Sequence, residues 1–139
     1  MEAPIYLFTG PEFGKRNDAV DSVKKSLVKN VGEIDEHLFY LCETPFNEVM
    51  TILQSGTLFS NGVFVVCKNA ELLKKKDDLQ MISDWLASAE QSSVLVLISD
   101  EISVDSKLEK IVPNTKQNKQ KFWEMFENEK LPWVINYFS

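Results

Sequence analysis

The stretch Ile5-Tyr6-Leu7-Phe8-Thr9-Gly10-Pro11-Glu12-Phe13-Gly14-Lys15-Arg16 decides how the rest of the chain is read. A short apolar run breaks at Gly-Pro and gives way to a polar stretch in which Val20, Val23, Leu27 and Val31 recur at spacings of three, four and four. That is a strand, a turn and a helix with one apolar face. Three more apolar runs follow, from Leu38 to Cys42, Val63 to Cys67 and Val94 to Ile98. They are rich in β-branched and aromatic residues, as strands covered on both faces are. A weaker fifth run is Lys121 to Met125. Between the runs, Thr44-Pro45 opens a helical pattern that sets Phe46, Val49, Met50 and Leu53 on one side. Asp77-Asp78 precedes another, with Leu79, Ile82, Leu86 and Ala89 inward and Met81 and Trp85 widening the stripe. A short helix near Val104 to Val112 stops at Pro113, and Asn114 to Gln120 reads as a flexible loop. Alternation of this kind predicts an α/β domain: a mostly parallel sheet with flanking helices.

A chain of 139 residues, 44% hydrophobic and 26% charged, is enough for one domain with a core that needs no disulfide or metal. Fifteen Lys plus Arg against twenty-one Asp plus Glu leave a net charge of -6, which argues against a duplex-binding surface over the whole fold. Lys74-Lys75-Lys76 and the stretch Lys116 to Lys121 are the local basic candidates and read as solvated segments. Cys42 and Cys67 lie in apolar runs with no His or Cys beside them, so they read as reduced core thiols and imply no metal site and no cofactor. No apolar run approaches the ~18 residues of a membrane span and no secretory signal opens the chain, which points to a cytoplasmic protein. Leu131-Pro132-Trp133-Val134-Ile135-Asn136-Tyr137-Phe138 is strongly apolar and has no cap or polar tail. The expectation is a single domain over residues 1–139 at the N-terminus of a longer polypeptide, with 128–139 leading into the next domain.

Gly10, Gly14 and Lys15 invite comparison with the phosphate-cradling loop Gly-x-x-x-x-Gly-Lys-Ser/Thr, but the match fails twice. Three residues separate the glycines instead of four, and Arg16 stands where a hydroxyl should ligate Mg²⁺. A shortened loop cannot curl its amides around a phosphate, so a plain strand-to-helix turn is the better reading. Asp100-Glu101 after the fourth run superficially resembles a Mg²⁺-binding acidic pair, whereas Lys68-Asn69 occupies the equivalent place after the third. A receiver domain would need an acidic pair where Gly10-Pro11-Glu12 stands and an Asp where Lys68-Asn69 stands. His37, the one histidine, has no positioned nucleophile near it in sequence. The more unusual feature is Gln54-Ser55-Gly56-Thr57-Leu58-Phe59-Ser60-Asn61-Gly62, which sets two large apolar residues in a connection between helix and strand. They either fold back over the core edge or form an exposed plug for a partner's pocket.

Four stretches in this order carry a resemblance: Ile5 to Glu12, Thr57-Leu58-Phe59-Ser60 before the strand Val63 to Cys67, Lys68-Asn69-Ala70-Glu71-Leu72-Leu73, and Leu131-Pro132-Trp133-Val134-Ile135. The chain resembles the N-terminal domain of the delta subunit of bacterial DNA polymerase III, the clamp-loader subunit that opens the sliding clamp. The resemblance implies an AAA+-like (P-loop NTPase-like) fold without a functional nucleotide site, and no catalytic residues in this domain, although the whole assembly is a DNA-directed DNA polymerase. It implies that Leu58 and Phe59 enter a hydrophobic pocket on the clamp, the beta subunit, with Gln54, Thr57 and Ser60 beside them. Binding would favour ring opening during DNA replication. Other loader subunits would be met through a C-terminal region outside these 139 residues, and DNA only indirectly. The sequence departs from the pattern at Gly56, where a larger apolar residue can add to the wedge, and at Asn61-Gly62, where basic residues are common. A degenerate nucleotide-binding domain and a receiver-like signalling domain remain the alternatives.

Overall fold

The computed structural model describes residues 3–55, 60–89 and 92–122. Five strands form one sheet: β1 (Ile5–Thr9), β2 (Ile34–Tyr40), β3 (Gly62–Lys68), β4 (Ser93–Ser99) and β5 (Lys119–Lys121). Their order is β2-β3-β4-β1-β5, and every pairing among the described residues is parallel, as expected. The helices among the described residues are α1 (Phe13–Val31), α2 (Phe46–Ser55), α3 (Lys76–Ser88) and α4 (Ser106–Ile111), with a 3-10 turn at Ala70–Leu72. This is an open α/β fold, a parallel sheet with helices on both faces.

The two faces of the sheet are covered unequally. Side chains alternate along a strand, and those of one parity, including Ile5, Leu7, Val63, Val65, Cys67, Leu95 and Leu97, meet α2, α3 and α4 in the larger core. Phe8, Phe64, Val66, Val94, Val96 and Ile98 point the other way, where Leu27 is buried among them and Val20, Val23 and Val31 pack alongside. The apolar face expected of α1 is therefore the one that seats it on the sheet. Phe46, Val49, Met50 and Leu53 of α2 and Leu79, Ile82 and Trp85 of α3 are buried as their spacing predicts.

Boundaries move where periodicity is a poor guide. β2 begins four residues earlier than its apolar run suggests and ends at Tyr40, because an edge strand is half-exposed and accommodates Asp35, Glu36 and His37. Cys42 consequently lies beyond the strand and is exposed, not a core thiol. Helix α2 starts at Phe46, α3 at Lys76 with Asp77 and Asp78 inside its first turn, and α4 at Ser106, whose neighbour Asp105 accepts from the Lys107 amide at 2.9 Å.

The segment 114–120 is not a free loop. Asn118 is 1% exposed; its amide group donates to the carbonyls of Ala3 (3.0 Å) and Ile5 (2.9 Å), and its Oδ1 accepts from the Thr115 hydroxyl at 2.6 Å. Its own carbonyl accepts from the Leu7 amide at 2.7 Å, and this starts β5 at Lys119, earlier than the fifth apolar run. Lys119 reaches the Glu109 carbonyl at 2.6 Å instead of lying free in solvent. Trp123 to Met125, the rest of that run, lie outside the described residues.

Two measurements follow from this packing. Asn118→Ala removes buried bonds on both sides of the β1–β5 seam and should lower unfolding free energy by about 2–3 kcal/mol in urea titrations. Burial pushes the Cys67 thiol up to about 12, so iodoacetamide at pH 8 should modify Cys42 in the folded chain and reach Cys67 only on unfolding. Mass mapping of the alkylated peptides reads this directly.

Candidate functional site

Open α/β sheets take ligands beyond the carboxyl ends of their strands, where connections on the two sides of a strand pair leave to opposite faces. Here that point lies between β1, whose chain continues into α1 on one face, and its neighbour β4, which leads to α4 on the other. Gly10, Pro11 and Glu12 border it on one side and Asp100 and Glu101 on the other. It is where Gly10, Gly14 and Lys15 would have to hold phosphate.

The backbone amides there are already engaged. The Gly10 amide donates to the carbonyls of Ser99 (3.0 Å) and Glu101 (2.9 Å), and that of Glu12 to Phe122 (2.8 Å). Gly10 has φ +104°, and a Cβ on it would lie 2.7 Å from the Phe122 backbone, so glycine is required for the close approach of β5's exit and not for a ligand. At the helix start, where a phosphate would sit, the Glu12 carboxylate accepts from the amides of Gly14 (3.0 Å) and Lys15 (2.7 Å). The chain's own anion thus caps α1.

Arg16 fills the space behind. It is 4% exposed, and Nη1 donates to the Gly10 carbonyl at 2.8 Å and to Asp100 Oδ1 at 2.6 Å. The residue in the position of the missing Mg²⁺-ligating hydroxyl therefore ties the turn after β1 to the turn after β4. Asp100 is consumed in this tie. Glu101 lines an open cleft of about 580 Å³ with Glu71, Lys74 and Asp105. Glu71 itself accepts from the buried Ser99 hydroxyl at 2.5 Å. Lys68 stands over the Tyr40 ring at 5.7 Å, and the Asn69 carbonyl oxygen of the side chain accepts from the Cys42 thiol at 3.3 Å. Among the described residues no group of three or more His, Cys, Asp or Glu is arranged to hold a metal ion. His37 stacks on Phe39 at 6.0 Å.

The other candidate lies at the opposite end of the sheet. α2 runs back against the strands, its buried face is complete at Leu53, and Gln54 is exposed in its last turn. β3 opens at Gly62. Thr57, Leu58 and Phe59, with Gly56, fall in the connection and lie outside the described residues; Ser60 and Asn61 lead from it into the strand. Gln54 and Ser60 thus stand at the two ends of that connection. A strand of seven residues spans about 23 Å, which separates this end from the Arg16 crevice.

Gly62 explains the departure seen in sequence. A Cβ there would lie 2.7 Å from the Ser92 carbonyl oxygen and 3.0 Å from Val31 Cγ2, so no side chain, basic or otherwise, fits. What sequence reading missed is the pair Glu12 and Arg16: a carboxylate three residues before Lys15 is a recognisable cap, whereas nothing local marks Arg16 for a partner that lies beyond β4.

Comparison with known proteins bears on the fold. The structure is similar to that of the Bacillus subtilis DNA clamp loader delta protein YqeN, with a TM-score of 0.68 over 96% of this chain and 19% sequence identity. The architecture is shared. The match spans 42% of the length of the Bacillus protein. Domain III of the Thermotoga maritima replication initiation protein DnaA aligns over 98% of this chain and 67% of that one, with a TM-score of 0.49 and 14% identity. No protein-family profile and no curated protein matches the sequence.

The crevice geometry predicts unequal costs for its two charges. Arg16→Ala leaves the Gly10 carbonyl unpaired and a void under the turn, and should cost about 2–4 kcal/mol. Asp100 is 79% exposed on its side chain and Arg16 only 5%, so Asp100→Ala opens the carboxylate's place to water but strips a buried guanidinium of its counter-charge, and should cost about 1–2 kcal/mol, less than Arg16→Ala. Parallel urea melts of the two variants decide this.

Proposed function

We propose that this chain is a non-catalytic, clamp-binding domain of the clamp-loader delta type, acting in DNA replication in the cytoplasm. The observation that carries the reading is where the two elements flanking Leu58 and Phe59 in sequence end and begin. The helix before them has its buried face complete at Leu53 and the strand after them starts at Gly62, so two large apolar residues fall in a connection at the end of the sheet away from the filled crevice. The likeness in fold to the Bacillus delta protein supports the same reading.

In this reading Leu58 and Phe59 insert into an apolar pocket of the sliding clamp, with Gln54, Thr57 and Ser60 beside them. Two such side chains supply ~3–6 kcal/mol gross, before association costs. The domain opens the ring only by as much as it binds the open form more tightly than the closed one, and that needs no hydrolysis here. ATP acts in partner subunits, which meet this protein through regions outside these 139 residues. The engaged amides at Gly10 and Glu12 and the Glu12 cap support a domain that does not itself hold nucleotide.

The test is titration of the chain with the sliding clamp of the same organism at physiological salt. The double variant Leu58→Ala, Phe59→Ala should keep its circular dichroism and melting profile and lose at least about 100-fold in affinity, or ~3 kcal/mol. Unfolding of that variant would place the pair in the core instead, and saturable Mg-ATP binding by the wild type would favour a nucleotide-binding domain.

A further inference from the structure

The exit of the connection that carries Leu58 and Phe59 is tied down more firmly than its sequence suggests. The Ser60 hydroxyl donates to the Gly62 carbonyl at 2.7 Å, closing a tight turn over Asn61. The Asn61 amide donates to the Glu33 carbonyl at 3.1 Å, which fastens the same turn to the reversal between α1 and β2. On the far side the Val63 amide donates to the Ser92 carbonyl at 2.8 Å, and Gly62 lies too close to Ser92 and Val31 to shift toward either. Three separate chain segments therefore meet at residues 60–63.

Ser60 is half-buried, and its hydroxyl proton goes to this internal carbonyl. A hydroxyl used in that way cannot also donate to a partner. We propose that Ser60 is a positioning residue: it closes the turn that fixes how the chain enters β3, and it acts on clamp binding through that turn rather than by donating a hydrogen bond to the clamp. The proposal rests on the clamp-binding reading for its consequence and on the Ser60–Gly62 bond for its geometry. A connection held at its exit loses less freedom on binding, and that difference appears as affinity.

Ser60→Ala and Ser60→Thr separate positioning from contact. Two readouts are needed, clamp affinity and, in the free chain, hydrogen exchange of the Asn61 amide. Ser60→Ala should raise Kd by about 3- to 10-fold and speed Asn61 exchange by a similar factor, while Ser60→Thr, which keeps the hydroxyl, restores both. Unchanged Asn61 exchange in Ser60→Ala would overturn the assignment. Restoration of exchange but not of affinity in Ser60→Thr would mean that Ser60 touches the clamp, and would overturn it equally. If the wild type does not bind the clamp, the functional reading fails, and the exchange measurement still decides whether the hydroxyl holds the turn.

Discussion

Burial of β3, β4 and β1 on both faces is the constraint from which the rest of the structure follows. Nearly every side chain of β3 and β4 is buried, so their backbone groups have no water to bond and must be paired along both edges. For β1 the second edge is supplied by a strand of only three residues, β5. Asn118 compensates for that brevity: its side-chain amide and its carbonyl extend the bonding along β1 past the point where β5 itself begins. A segment rich in polar residues thereby becomes part of the sheet's closure.

The same fold leaves its two ends to different chemistry. Beyond the carboxyl ends of the strands, where related architectures accommodate ligands, the groups that would do so are turned on one another: Glu12 on the amides of α1, Arg16 on Gly10 and Asp100. These contacts tie the crevice's two rims together. At the opposite end, the bracing at residues 60–63 draws on β2's entry and β4's entry, not on the crevice. Changes at one end are therefore free to accumulate without disturbing the other, since no shared side chain links Arg16 to Ser60 and effects at such separation are close to additive.

Much of this was legible in the sequence, for reasons that are local. The apolar face of α1, the buried stripe of α2 and the runs that became β1, β3 and β4 are all set by burial, which periodicity reports. Strand β2 was misplaced because an edge strand buries only part of each face and its charges hide the period. Asn114 to Gln120 was misread because a polar residue can be buried when three partners await it, and those partners come from residues 3, 5 and 115. The faults in the glycine loop were visible. Their replacement by a tie between buried Arg16 and exposed Asp100 was not, because the partners are brought together only by the pairing of β1 with β4.

The strand order also carries a consequence for synthesis. Of the five described strands β1 is synthesised first, yet its neighbours are β4 and β5, so Leu7 waits for Leu97 and then for Lys119. At ~5–20 residues per second that interval is roughly 6–20 seconds. Through it, an apolar strand with two bare edges has nothing to pair with, because β2 and β3 can join each other but not β1. The nascent chain is in this respect most vulnerable at β1, and a holdase that shields Ile5 to Phe8 until β4 emerges would protect the domain from edge-to-edge association.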